Sequence, residues 1–182
     1  MANRAGKRGI QNPYERRSNR SLDRLVNFGN DSSKFWRSKW LGRPLPGGFC
    51  KARRLLERAE RWKVPVFSVV DTSGAYSGIE SEASACASEI SHILTGMNSG
   101  KMPTIALVVI EGGSGLALSL ALADSVLILR KASSSVISPK GVATFLYSDA
   151  NRVPELAEFL HIAAPELFER VIADQIAAEP EG

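Results

Sequence analysis

The sequence has few of the residues that bind transition metals or crosslink a chain. Its 182 residues include two cysteines, Cys50 and Cys86, and two histidines, too few for a zinc site or a disulfide framework. Long apolar runs are also absent, because residues 103–129 are interrupted by Glu111, a glycine cluster and Asp124. No apolar signal core follows the basic first residues. These absences predict a cytoplasmic globular protein with no metal of its own and no membrane span.

Charge is distributed unevenly along the chain. Residues 1–44 carry eleven Lys and Arg against three Asp and Glu, whereas the chain from residue 151 onward carries two against seven. Such a basic segment can bind nucleic acid, a phosphate-rich ligand such as coenzyme A, or an acidic partner subunit, or it can be a solvated extension. Trp36 and Trp40, four residues apart, are more typical of attachment to a protein surface than of base stacking. Nucleic acid is therefore not an expected partner.

The remainder of the chain alternates between strand and helix patterns. The loop LGRPLPGG at residues 41–48 divides a basic N-terminal arm, residues 1–44, from a globular domain, residues 45–182. Short runs rich in valine and isoleucine are typical of buried strands, and apolar residues recur elsewhere at helical spacing. Strands are predicted at residues 64–71, 103–110, 124–129 and 135–138, and helices at residues 49–62, 83–97, 116–123, 142–147, 153–160 and 165–172. This alternation predicts an α/β fold with helices covering a mostly parallel sheet.

The most informative segment joins a predicted strand to a predicted helix and reads Glu111, Gly112, Gly113, Ser114 and Gly115. Glycines at such a turn allow close approach to a ligand, and the first amides of the helix favour negative charge. Its spacing does not match a phosphate loop, a dinucleotide fingerprint or a nucleophile elbow. Two interpretations remain: an amide-lined site for an oxyanion, or a glycine turn that only allows tight helix–sheet packing.

Two other loops follow predicted strands and are expected at the same edge of the sheet. They contribute the candidate binding residues Gly74, Ala75, Tyr76 and Gly78, and then Ser138, Pro139, Lys140 and Gly141. The second loop could equally be an ordinary turn that opens a helix with proline in its first turn.

Groups for acid–base catalysis are scarce. Glu111, at the end of a buried strand, is the best carboxylate candidate, whereas His92 and His161 lie outside the glycine loops and are predicted to be structural. Asp71 and Asp124 are expected to cap or neutralise neighbouring groups. A mechanism that needs amide donors but no protein base would suit these residues.

Taken together, these motifs resemble a known enzyme family. The segments GGFCKARRLLERAERW, DTSGAYSG, IEGGSGLALS and SVISPKG are similar to PEGYRKALRLMKLAEKF, DTPGAYPG, GEGGSGGALA and SVISPEG of the alpha subunit of bacterial acetyl-CoA carboxylase carboxyltransferase. They occur in the same order and with nearly constant spacing from about residue 41 onward. The match therefore covers about three quarters of the chain.

The resemblance implies a crotonase-like (ClpP/crotonase) α/β fold of repeated ββα units and a biotin-dependent carboxyltransferase. Such an enzyme moves CO2 from carboxybiotin to the α-carbon of an acyl thioester. Gly112 and Gly113 would stabilise the biotin oxyanion, and the other loop residues would contact biotin or substrate. The implied partners are a beta-type carboxyltransferase subunit, a biotin carboxyl carrier protein and acyl-CoA, with biotin as the cofactor.

The sequence also departs from the family pattern. Leu116 stands in place of a glycine and makes the predicted helix start bulkier, Ser73 and Ser77 replace two prolines, and Lys140 replaces a glutamate. No segment of the basic arm matches the opening strands of the family. Two alternatives therefore remain open: other acyl-thioester chemistry on the same fold, such as decarboxylation or transfer to another acceptor, and a non-catalytic partner subunit.

Overall fold

The computed structural model describes residues 26–28, 43–44, 46–76 and 78–179. Most of the basic arm, including Trp36 and Trp40, lies outside these residues, so the predictions for its role stay untested. The strand β1, Val26–Phe28, is the exception, because it lies within the arm and belongs to the main sheet. The arm thus contributes one edge strand, which the sequence did not predict, and this strand pairs in parallel with the strand at residues 66–72.

The strands form a parallel sheet, as predicted. Its order is β1, β2, β3, β4 and β6, in which every neighbouring pair is parallel. The short strand β5 pairs with the end of β3. The remaining strands are β2, Val66–Thr72; β3, Thr104–Gly113; β4, Ser125–Leu129; β5, Ser133–Ser135; and β6, Gln175–Ala177.

Helices occupy the connections between the strands. The helices are α1, Pro46–Trp62; α2, Ile79–Ala83; α3, Cys86–Ser99; α4, Ser114–Ala121; α5, Pro139–Val142; α6, Val153–Phe159; and α7, Ala164–Glu169. A π-helical turn, Ala143–Tyr147, continues α5, and a 3₁₀ turn, Ala150–Arg152, precedes α6. No described helix is long and apolar enough to cross a membrane.

Three differences from the predicted elements have physical causes. Residues 46–48 of the predicted loop belong to α1, since proline and glycine are tolerated in the first turn of a helix. The predicted helix at residues 83–97 is divided at Ala85, which adopts a left-handed conformation with φ of 55°. The strand predicted at residues 135–138 ends at Ser135, because its partners are the last residues of β3, and Val136 is 65% exposed.

Two apolar clusters support the sheet. One joins α1 and α3 to α4 through residues that include Phe49, Ile93 and Leu116. The other contains Val108 and Ile128 of the sheet. Helix α4 contributes adjacent residues to both clusters, Leu116 to the first and Ala117 to the second. The start of this helix, directly after the glycine segment, is therefore held firmly on two sides.

Candidate functional site

The glycine segment lies at the end of β3, between two other strands. Gly112 is paired with Thr72 of β2 on one side and with Ser134 of β5 on the other. The register of β2 and β3 shifts just before this point, because Val70 pairs with Val108 but Thr72 pairs with Gly112. A shift of this kind bends a strand and often redirects residues beside an active site.

The two glycine loops touch each other at the ends of β2 and β3. A Cβ atom at Gly74 would stand 2.9 Å from Ser114 Cβ, and one at Gly113 would stand 2.5 Å from the carbonyl oxygen of Ser73. Gly74 also has φ of +131°, which side-chain-bearing residues rarely adopt. These contacts place the two loops side by side at one edge of the sheet.

Side-chain hydroxyl groups form hydrogen bonds with main-chain atoms of both glycine loops. Thr72 Oγ1 donates to the carbonyl oxygen of Gly74 at 3.2 Å and accepts from its amide at 3.1 Å. Ser134 Oγ donates to the carbonyl oxygen of Gly112 at 2.9 Å. Neither side chain can be singled out from the sequence, because serine and threonine that bond to main-chain atoms have no spacing signature.

Helix α4 begins at Ser114, so the amides that lack intrahelical partners belong to its first turn. A Cβ atom at Gly115 would meet nothing within 4 Å, which leaves open space beside this turn. Leu116 is 2% exposed and packs in the first apolar cluster. The bulky side chain that replaces a family glycine is therefore directed into the core and does not obstruct the glycine segment.

A cavity of about 910 Å³ opens beside the glycine segment. Gly112, Ser114 and Ser134 line it near the sheet, and mainly apolar side chains of α4 and of the segment around α7 form its other walls. It has the size and apolar character of a small-molecule site.

One side of the cavity carries an imidazole–carboxylate pair. His161, which lines the cavity, has its Nδ1 2.8 Å from Glu166 Oε1. This hydrogen bond, partly offset by desolvation, lowers the pKa of Glu166. Glu166 Oε2 also accepts from the amide of Ala163 at the start of α7. The sequence predicts a structural role for both histidines; His161 pairs with Glu166 at the cavity wall, whereas His92 is exposed on α3.

The other predicted binding residues lie around this centre. Ala75 packs on the first apolar cluster, the Tyr76 amide donates to the Pro44 carbonyl oxygen, and Gly78 lies against the Tyr76 ring. Glu111 is exposed and does not line the cavity.

The loop of Ser138, Pro139, Lys140 and Gly141 forms a helix start. Ser138 Oγ accepts from the Gly141 amide at 3.1 Å and caps α5. None of these four residues lines the cavity.

The described part of the chain shows no grouping of three or more His, Cys, Asp or Glu side chains that could hold a metal ion. Asp124 has the predicted structural role. Its Oδ2 accepts from both the amide and the hydroxyl of Thr104, and its own amide donates to Thr104 Oγ1.

Solved structures of other proteins share this fold. A transcarboxylase 12S core superimposes with a TM-score of 0.70 at 20% identity, covering 78% of this chain and 30% of that one. A Pseudomonas malonate decarboxylase hetero-tetramer gives a TM-score of 0.63 at 18% identity, covering 78% and 54%. The fold is therefore the crotonase-like α/β fold of the acyl-CoA carboxyltransferases.

Sequence relatives identify the family. Residues 29–182 match the family model described as acetyl co-enzyme A carboxylase carboxyltransferase-like, and the chain belongs to this family. It is 43% identical over 144 residues to the acetyl-coenzyme A carboxylase carboxyl transferase subunit alpha of Shouchella clausii, covering 79% of this chain and 44% of that protein.

The corresponding subunit of Bordetella avium is 44% identical over 141 residues, with coverage of 78% and 44%. That of Clostridium acetobutylicum is 42% identical over 141 residues, with coverage of 78% and 52%. The chain thus spans about half the length of the curated relatives it matches.

Proposed function

We propose that this chain is the alpha-type component of a biotin-dependent carboxyltransferase that acts on acetyl-CoA or a similar acyl-CoA. The observation that carries the proposal is the contact between the Gly74 loop and the segment of Gly112 and Gly113, beside a cavity, in a chain of this family. The product would be a malonyl-type thioester, made in the cytoplasm.

The residues beside the cavity suit a carbonyl oxygen that gains negative charge. The first turn of α4 offers amide donors next to the open space at Gly115, and Ser114 lines the cavity. These donors fit the ureido oxygen of biotin. When bound on its carrier protein, biotin supplies the carboxyl group.

Gly112 and Gly113 would make the oxyanion site possible by close packing. Both are buried, and side chains at these positions would collide with Ser134 and Ser73. Their small size brings the end of β3 against the neighbouring strands and sets the direction in which α4 begins. Preorganised donors of this kind contribute much of the rate enhancement in acyl-transfer enzymes.

The proposal includes two protein partners, a beta-type carboxyltransferase subunit and a biotin carboxyl carrier protein. Native mass spectrometry of the complex purified from its source, with identification of every co-eluting chain, tests this. A beta-type chain in equal copies is expected. A self-assembled homo-oligomer would instead favour other acyl-thioester chemistry on the same fold.

Activity is tested by carboxyl transfer from malonyl-CoA to biotin methyl ester in the reconstituted complex. Gly115→Ala is expected to lower transfer about 10²-fold by placing a methyl group beside the donors. The matched control is Gly47→Ala, because Gly47 also has nothing within 4 Å and lies in α1. Equal transfer activity of Gly115→Ala and Gly47→Ala would contradict the assignment of the oxyanion site. Decarboxylation of malonyl-CoA in the absence of biotin would favour other acyl-thioester chemistry on the same fold.

A further inference from the structure

Ser114 has an unusual backbone for its place in the fold. Six described residues other than glycine have positive φ, and five of them follow the end of a helix: Lys63, Ala85, Ser148, His161 and Val171. Left-handed residues are common at such positions. Ser114, with φ of 67°, instead stands between the end of β3 and the start of α4.

Serine is not the residue that backbone preference alone would favour at position 114. Gly112, Gly113 and Gly115 surround it, yet none of these three has positive φ, and Gly113 has φ of −101°. Glycine would adopt the left-handed conformation at residue 114 with less strain than serine. A side chain therefore stands at the one position of this segment where glycine would be most favourable.

Ser114 lies where the cavity meets the Gly74 loop. Ser114 lines the cavity together with Gly112 and Ser134, and its Cβ packs against Gly74. Ser134 Oγ is already bonded to Gly112, whereas Ser114 Oγ makes no hydrogen bond to any other residue in the described part of the chain. The closer contact with Gly74 is made by Cβ, at 2.9 Å from the position of a Gly74 Cβ against 3.5 Å for Oγ, so alanine would keep most of this packing, and the unbonded hydroxyl is available to a ligand.

We propose that Ser114 donates a hydrogen bond from its hydroxyl directly to the oxygen that gains negative charge during carboxyl transfer. The inference rests on the proposed function, because it assigns a side-chain donor to the same site. The strained backbone at residue 114 is retained because it directs Oγ into the cavity. The oxyanion site is then built from one hydroxyl in addition to main-chain amides.

The test compares Ser114→Ala and Ser114→Gly with Ser148→Ala and Ser148→Gly in the full chain. Ser148 is a matched control, since it has φ of 53°, is exposed and does not line the cavity. The readouts are Tm, the Kd for biotin methyl ester from saturation-transfer NMR, and transfer by the reconstituted complex.

Both glycine variants should raise Tm, by about 2–4 °C, because strain is relieved. Only the two Ser114 variants should weaken Kd, about tenfold, and lower kcat about 10²-fold. Ser114→Ala should leave Tm unchanged. Loss of affinity in a variant that is at least as stable as the wild type would exclude a purely structural role.

The measurement of biotin methyl ester binding tests the role of Ser114, and the measurement of carboxyl transfer tests the proposed function. Equal affinity of the wild type and Ser114→Ala for biotin methyl ester, or no binding by the wild type, would overturn the role of Ser114. If the wild-type complex does not transfer carboxyl groups while Ser114-dependent binding persists, the proposed function fails, and what stands is the hydrogen bond from Ser114 to bound biotin.

Discussion

Gly113 lies so close to the main chain of Ser73 that a Cβ atom at residue 113 would stand 2.5 Å from the Ser73 carbonyl oxygen and 2.9 Å from its Cα. The contact joins the ends of the neighbouring strands β2 and β3. Glycine is needed here for close approach and not for backbone freedom, since φ of Gly113 is an ordinary −101°.

Gly113→Ala should therefore lower the free energy of unfolding by about 1–3 kcal/mol, because main-chain atoms must move to admit the methyl group. Urea denaturation measures this. Gly115→Ala, two residues away with nothing within 4 Å, should change stability by no more than about 0.5 kcal/mol. Equal stability of the two variants would contradict the packing described here.

Ser134 and Gly112 are expected to be energetically coupled. Ser134→Ala removes the hydrogen bond to the Gly112 carbonyl oxygen, at a cost of about 0.5–1.5 kcal/mol. Gly112→Ala places Cβ 2.8 Å from Ser134 Oγ, so its cost should be smaller when that oxygen is absent. A double-mutant cycle in urea should give a coupling of about 0.5–3 kcal/mol, and additive effects would exclude the clash.

Leu116 stands where the family has a glycine. We expect its side chain to stabilise the folded state. It is 2% exposed and packs in the apolar cluster that contains Phe49 and Ile93. Leu116→Ala should cost about 2–5 kcal/mol in unfolding free energy because it leaves a cavity. Leu116→Met, of similar volume, should cost less than about 1.5 kcal/mol. Since the side chain points away from the glycine segment, a folded Leu116→Met variant that lost biotin methyl ester binding would contradict this placement.

The sequence predicts the central strands well because their signal is local. Strands β2 and β3 come from valine-rich and isoleucine-rich runs, a composition typical of strands in a parallel sheet, although only alternate residues of each strand are fully buried over most of its length. Strands β1 and β6 have three residues each, too few to show a period. The position of β5 could not be predicted because it follows from pairing with Glu111, Gly112 and Gly113 and not from its own hydrophobicity.

The candidate site also combines features that the local sequence predicts with features that depend on tertiary contacts. The glycine segment and the Gly74 loop are visible in sequence because turn chemistry restricts which residues can stand there. The hydroxyls of Thr72 and Ser134, and the left-handed backbone of Ser114, depend on tertiary contacts and leave no spacing pattern. The loop at residues 138–141 follows a predicted strand, yet none of its residues lines the cavity.

One ion pair, between Arg53 of α1 and Glu89 of α3, should weaken at acidic pH. Arg53 Nε donates to Glu89 Oε2 at 2.8 Å, and this hydrogen bond, partly offset by desolvation, lowers the pKa of Glu89. The charges of Arg53 and His92 and a hydrogen bond with Cys50 act in the same direction. A carboxyl with a lowered folded-state pKa stabilises the fold above its unfolded pKa, about 4.3. That stabilisation is lost as the pH falls through the folded-state value.

Glu89→Gln should therefore reduce the fall in unfolding free energy between pH 5 and strongly acidic pH, measured by urea denaturation at a series of pH values. Arg53→Met should have the same effect, since the guanidinium is the largest cause of the shift. Glu155, paired with Arg152 on the surface, provides a matched comparison, because Glu155→Gln removes another lowered pKa while leaving α1 and α3 joined. An acid profile of Glu89→Gln identical to that of the wild type would show that the pair between α1 and α3 contributes nothing to stability.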